Sequence, residues 1–530
     1  MLSFINGAKD YVNDHSRESP LDIWITVSRP LVWAATQQPG VEATRFVPGF
    51  SWIEASADDI NQIYSEGGRA VSAGIDVLSQ VRSESLFESP GRFDIRRLER
   101  LRESVHKLHR SVTRMPTLGE VLSRMPEFLG EKIGDSRRLA RLYQLERAAR
   151  GGVAALHTGV DFVLDANDVE VFLAVTNPAE KRGVQGIIGQ YAVLRVRDGK
   201  ITVSQSGSNT DLVDPKELPE GLSEGYTSLF GETNFEWQNM TMSPFAPDAA
   251  RQIAAAWEAQ SGRDVDAVIL LDTVALGAVV EATDGVVTTM SGEELTGGMD
   301  IARYLSNGIY FDFPEDNVAR KEFQSNLEQS LISGILERPL DVERLARDVV
   351  PYLGDGRVFM WMADAERQSS LEETFIAGGV GSMGDNALWV GLVNFSGNKM
   401  DFYVHPTVET QSCGRDVTVR IRLDNTANAG AEYPDYVARR LDQAGSSPAS
   451  ILGVTILVSS EGLRYVTANS QTWSQSDAFS LNGIPAFQFT TEIEPGQVSE
   501  VQIGLGGRFL PEILVSPFVE DVDFRTTPCP

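Results

Sequence analysis

Cysteine and histidine are scarce in this chain: two of the first and five of the second among 530 residues. His106 and His109 share a helix face, but no cysteine or further histidine offers a tetrahedral set, so no zinc centre is expected. There is no G-x-S-x-G elbow, no Walker loop and no H-E-x-x-H, which leaves serine-hydrolase, nucleotidase and zinc-protease chemistry unsupported. No apolar run reaches the roughly 18 residues that a membrane span needs. Met1-Leu2-Ser3-Phe4-Ile5 is too short for a signal peptide and lacks its charged flank. Either the protein is cytosolic, or an anchor belongs before residue 1. Basic residues are outnumbered, 46 against 74 acidic, a net charge of −28. So acidic a surface repels nucleic acid, and that partner is set aside. It leaves room for a phosphate-bearing substrate where local arginines and a divalent cation supply positive charge.

What the chain does have is length for two to four cores. Residues 1–160 read as helical. Asp94 is an N-cap candidate, Leu98, Val105 and Val112 alternate with Leu101, Leu108 and Met115 as a seam, and Pro116 ends the helix. A partner helix is expected from Asp135, with Leu139, Leu142 and Leu145 on one side, until Gly151-Gly152 interrupts it. Residues 161–375 alternate strand and helix patterns. Residues 376–386 form a Gly-rich crossing whose literal G-x-G-x-x-G (Gly379, Gly381, Gly384) lacks the βαβ context of a dinucleotide site. Residues 387–530 alternate apolar and polar positions between Pro/Gly turns, as in a β-sandwich. The expected class is thus multidomain α+β: a helical stalk, an α/β core and a C-terminal sandwich. Cys413 and Cys529 either form a bridge, which closes a loop of 116 residues and implies an oxidising compartment, or remain buried thiols in a reducing one. The tendency of free tails to fray favours the bridge.

The most informative stretch is Glu170–Ile201. An apolar run, Val171–Val175, stops at Asn177, and a loop with Glu180, Arg182 and three glycines, Gly183, Gly186 and Gly189, leads into a second run, Tyr191–Val196. A carboxylate leaving a strand end can hold a divalent cation, and an arginine there can clamp a phosphate. The alternative is a surface ion pair. Asn177 is a cap or a polar ligand. Ser204–Asp211 places Ser206, Asn209 and Asp211 at the expected sheet edge, or is simply a polar loop. Arg320 opens a later helix, free to reach the same cleft or to pair with Asp312, Glu315 and Asp316. Asp266 and Asp272 flank a buried-type strand, with Asp272 a candidate N-cap.

Three segments carry a resemblance: N-P-A-E-K-R-G-V-Q-G-I-I-G-Q-Y-A-V-L from Asn177, V-D-A-V-I-L-L-D from Val265 and N-V-A-R-K-E-F from Asn317. Together they resemble a family of bacterial cell-surface proteins of unknown function, common in actinobacteria, whose loop reads N-x-A-E-x-R-x-x-G-G. Gln185 stands for that motif's first glycine, Ala267 departs from a later V-D-G-V-I-A-x-D, and Thr283-Asp284-Gly285-Val286 is a degraded T-G-P-V. The tail, with N-K-M-D-F-Y (Asn398–Tyr403), P-D-Y (Pro434–Tyr436), Cys413 and Cys529, is similar to that family too. More distantly the core resembles the LytR-CpsA-Psr phosphotransferases. The resemblance implies an extracytoplasmic cell-envelope protein, tethered by a membrane anchor upstream of residue 1. It would bind, and transfer to the wall, a polyprenyl-pyrophosphate-linked glycopolymer. Arg182 and Arg320 would act on the pyrophosphate, Glu180 and Asp211 would hold Mg²⁺, and Asn177, Gly186, Ser206 and Asn209 would bind substrate. The family's S-x-P-R-D element is absent. The alternative is a non-catalytic envelope scaffold or adhesin that positions polysaccharide-assembly partners.

Overall fold

A computed structural model describes residues 51–83, 86–124, 136–220, 236–337, 342–379, 386–414, 416–459, 462–506 and 510–527, together with Leu222, Tyr226, Leu229, Phe230, Gly384 and Cys529. The expected stalk's first 50 residues, the Asp135 cap and Gly381 of the crossing lie outside the described residues.

The helical part begins with α1 (Ser51–Ser83), followed by a small hairpin, β1 (Phe87–Ser89) and β2 (Arg92–Phe93), that the sequence reading lacked. In α2 (Ile95–Arg114) the Asp94 side chain accepts from the Arg97 amide, as its N-cap position predicts, and Leu98, Leu101 and Val105 are buried along the expected seam. Beyond α3 (Leu118–Arg124) comes α4 (Ser136–Asp165), and here two expectations fail. Gly151-Gly152 does not interrupt the helix, which runs on to Asp165. A Cβ on Gly152 would sit 3.3 Å from Val350, so a bare backbone there lets the helix press against the core. Leu142 and Leu145 are exposed, while Leu139 and Tyr143 are buried in the sandwich's hydrophobic cluster. The helices therefore do not stand apart as a stalk. Ala154 and Phe162 of α4 join the α/β core, and the boundary at 160 falls inside this helix.

The core is one mixed seven-stranded sheet in the order β1-β2-β5-β4-β3-β6-β9. It contains β3 (Val169–Arg182), β4 (Gln185–Arg197), β5 (Lys200–Ser208), β6 (Ala267–Asp272) and the unforeseen β9 (Val358–Met362). Only β3 and β6 run parallel among these neighbours. Phe172 and Ala174 face one hydrophobic cluster, with α5 (Ala246–Ser261) packed on it through Ile253 and Trp257. Val171 and Val175 face the other, with α6 (Thr273–Ala282) and α7 (Gly298–Arg303). Burial on both faces explains why these strands read as continuous apolar runs. A two-stranded hairpin, β7 (Val287–Thr288) and β8 (Glu294–Leu295), precedes α7. The long α8 (Asn317–Glu337), α9 (Val342–Asp348) and α10 (Ala365–Glu372) complete the layer.

The loop expected between Asn177 and Tyr191 is another correction. It is the far end of a hairpin: β3 continues through two register irregularities, between Val175 and Thr176 and between Asn177 and Lys181, so the turn is at Gly183-Val184. Bulges let a strand carry polar residues onward while bending it.

The C-terminal part is the expected sandwich. Its first sheet is ordered β16-β17-β13-β10-β19 and its second β15-β14-β18-β12-β11-β20. The strands are β10 (Ala387–Asn394), β11 (Val404–Cys413), β12 (Asp416–Asn425), β13 (Ser450–Val458), β14 (Leu463–Ala468), β15 (Gln471–Trp473), β16 (Phe479–Leu481), β17 (Ile484–Ile493), β18 (Val498–Gly506), β19 (Glu512–Val515) and β20 (Asp523–Thr526). Every residue of β10 is buried. Leu388, Val390 and Leu392 face the sandwich core, whereas Ala387 and Trp389 belong to the α/β cluster. The crossing from 376 does not separate the two units, because Phe375, Ile376 and Ala377 are themselves buried. Among the described residues no helix is long and apolar enough to cross a membrane.

Cys413 and Cys529 are bridged, with Cα atoms 5.7 Å apart. The bond holds the tail after β20, which runs parallel to β11. Replacing both cysteines with serine lowers stability by about 4 to 5 kcal/mol in the loop-entropy model. Urea denaturation of the variant, compared with the oxidised and reduced wild type, checks it.

Candidate functional site

The hairpin tip of β3 and β4 drives between the α/β core and the sandwich, carrying Glu180, Lys181 and Arg182 out of water. All three are at most 5% exposed. Glu180 Oε1 accepts from Arg182 Nη2 at 2.7 Å, and Oε2 accepts from Lys399 Nζ at 2.7 Å. Burial pushes the Glu180 carboxyl up, but Lys399 and Arg182 together outweigh it and hold it below its ordinary value. Burial likewise opposes the Lys399 charge, and Glu180 overcomes it, so the ammonium is held above the usual lysine range. The rest of the Arg182 fork is occupied by backbone carbonyls of Lys181, Gln238 and Asn394.

A second shared structure is aromatic. Tyr310 and Tyr436 stack with ring centroids 5.4 Å apart. The Arg320 guanidinium lies 4.6 Å from the first ring and 4.5 Å from the second, and Lys399 Nζ is 5.5 Å from both. Arg320 donates to Asn317 and Gln324, and pairs with none of Asp312, Glu315 and Asp316 among the described residues. Asn177 Nδ2 donates to the Ser306 carbonyl and the Tyr310 hydroxyl, while its Oδ1 caps the Ala179 amide. Glu180, Arg182 and Lys399 form one ion triad, and Asn177 and Arg320 approach it through Tyr310. Lys399 and Arg320 rest on the tyrosine faces.

Next to it, Lys181 is fully buried. Its Nζ donates to the Pro517 carbonyl and sits 3.5 Å from the Phe518 ring centroid. Burial drives its ammonium far below the ordinary lysine value. The Lys181 amide donates to Asp401 Oδ2 at 2.8 Å, and Asp401 also accepts from Asn394 and Ser450. Ser516 Oγ donates to the Gly183 carbonyl at 2.5 Å. Every one of these partners comes from the sandwich.

The remaining expected residues stand elsewhere. Asp211 is exposed and caps a short turn, accepting from the Ser208 amide at 2.8 Å. Asn209 donates to the Ile188 carbonyl, and Ser206 pairs with Ala192 along β5. Gly186 serves the hairpin rather than a ligand, because a Cβ there would lie 2.1 Å from the Asn177 carbonyl oxygen. Glu180 and Asp211 do not fit Mg²⁺ as a pair: one has both oxygens held by cations, the other has its turn amide, and they share no partner. Asp272 caps α6 through the Ala275 amide as expected, and also binds Arg357 at 2.9 Å. Asp266 accepts from the Glu170 amide, a structural role.

Where α4, β9 and the sandwich meet, a cleft of about 630 Å³ opens beside Val184. Of its three arginines, Arg147 and Arg357 are matched by Glu512, Asp272 and Asp521. Arg141 shares the lining with Asp355, Asp521 and Asp523.

Residues 167–310 match a family described as a protein of unknown function (DUF4012). That span covers Asn177, Glu180, Arg182 and Tyr310, and stops short of Arg320, Lys399 and Tyr436. No curated protein matches the chain.

Sequence reasoning did not assign Lys399, Asp401 and Tyr436 to the site. Their only signal was that they sit in N-K-M-D-F-Y and P-D-Y, the two tail segments of the family resemblance. Removing one partner of the triad strands a buried charge, so Glu180→Gln or Lys399→Met costs about 3 to 5 kcal/mol at pH 7. Glu180 has a depressed folded value, so its contribution is complete above its unfolded value near 4.5 and is lost as pH falls through the folded one. The stability gap between wild type and Glu180→Gln is expected to narrow below about pH 4, as chemical denaturation across pH will read.

Proposed function

We propose that this chain is a non-catalytic component of the cell envelope, a scaffold that positions partners in polysaccharide assembly. The observation that carries this is the closure of Glu180: both oxygens are engaged by Arg182 and Lys399 at 5% exposure. A carboxylate so held is already neutralised and is shielded from an approaching metal ion. An arginine fork with four partners is not waiting for a phosphate. The constellation acts as a clamp between α/β core and sandwich. The disulfide supports an extracytoplasmic location, where such bonds persist.

The second reading, binding and transfer of a polyprenyl-pyrophosphate-linked glycopolymer, is favoured by one observation. Arg182 and Lys399 outnumber the one carboxylate they hold, and Arg320 lies with Lys399 on the shared tyrosine pair. An anion would find surplus positive charge there if the cluster opened.

The two readings separate in a binding experiment with a polyprenyl-pyrophosphate-linked glycan and Mg²⁺. The scaffold predicts no saturable binding and no transfer by the wild type, with Arg182→Ala lowering the melting temperature. Saturable binding that Arg320→Ala abolishes at unchanged melting temperature overturns the scaffold and establishes the transferase.

A further inference from the structure

Three of the chain's five histidines meet on one helix seam. Leu101 and Val105 of α2 pack with Val160 of α4. That contact sets His106 and His109, one turn apart on α2, against His157 and Asp161, one turn apart on α4. The His157 ring centroid is 4.5 Å from that of His106 and 4.1 Å from that of His109. We propose that His106, His157 and Asp161 form a site for one borderline divalent metal ion of the zinc class, bridging α2 and α4.

The geometry is that of a donor set. Asp161 Oδ2 lies 3.1 Å from His106 Nε2 and 3.7 Å from His157 Nε2. The three ligand atoms all fall within 4.8 Å of one another. Donors about 2.0–2.2 Å from a tetrahedral zinc are themselves roughly 3.3 Å apart, so a small contraction closes the site. Two imidazoles and one carboxylate leave a fourth position for water. Arg102 Nε holds Oδ1 at 2.7 Å, an oxygen that also lies 3.0 Å from His106 Nε2, and so fixes the carboxylate against the rings. Arg102 also approaches Asp165, which Arg367 pairs with. His157 Nδ1 is buried with no hydrogen-bond partner, so that nitrogen does not fix the ring in the fold.

A further fact supports the assignment. The side chains of His106 and His157 keep 31% and 16% exposure, enough for an ion to enter from solvent. The pairing of His106 with His157 corrects the expectation that the histidines make no cluster. They are 51 residues apart, and only the antiparallel seam joins them.

The test uses the untagged full chain, stripped with a chelator, and titrated with Zn²⁺ by calorimetry and with Co²⁺ by visible absorption. One ion per chain is expected, with Co²⁺ bands of a four-coordinate nitrogen–oxygen set and a higher melting temperature in Zn²⁺. His157→Gln and Asp161→Asn each weaken binding by about 100-fold or more, with metal-free circular dichroism unchanged. His405→Gln, in the sandwich, leaves it intact. If the wild type takes up no Zn²⁺, or if folded His157→Gln binds as tightly as the wild type, the site does not exist.

Discussion

A carboxylate removed from water must be neutralised before it can serve anything else. Glu180 meets that requirement with Arg182 from its own strand and Lys399 from the sandwich. Because one cation belongs to each unit, the requirement is also what joins them. Around this ion triad the protein arranges its other buried polar groups. Asp401 takes the Lys181 amide, Ser516 takes the Gly183 carbonyl, and Asn394 reaches both Arg182 and Asp401. A network in a low-dielectric interior is worth having only when it is closed, and here nearly every donor finds an acceptor.

Apolar packing makes the same connection a second time. β10 contributes alternate residues to two hydrophobic clusters, and Trp389 meets Phe245 edge-on with ring centroids 6.1 Å apart. α4 does likewise, with Tyr143 turned to the sandwich and Ala154 to the sheet. A strand and a helix shared between cores leave no surface along which the units slide. The cleft between them is lined by acids and arginines in equal number, Asp355, Asp521 and Asp523 beside Arg141, Arg147 and Arg357.

What could be read in advance was whatever is local. The Asp94 and Asp272 caps, the α2 seam and the alternation in β12 all depend on residues close in sequence. The tyrosine clamp on Arg320 was beyond reach, since Tyr310 and Tyr436 are 126 positions apart. The polar end of β3 looked like a loop because its burial comes from the sandwich, more than 200 residues later. Gly151-Gly152 looked like a break for a related reason: what makes bare backbone useful there is Val350 and Ile376 pressing close. The residues expected at a catalytic centre did assemble, in part, yet chemistry cannot be inferred from convergence alone. Their partners decide it, and the partners were distant.

The hairpin tip has a consequence for biosynthesis. Its acid, its lysine and its arginine are completed by Asn394, Lys399 and Asp401, and then by Ser516, Pro517 and Phe518. A ribosome delivers Ser516 only 333 residues after the glycine it binds. Until then the earliest long strand pair carries ionised groups with no lasting shelter, and its end must stay hydrated and open. Such a chain is slow to lock prematurely, and its two units close on each other only once both are made.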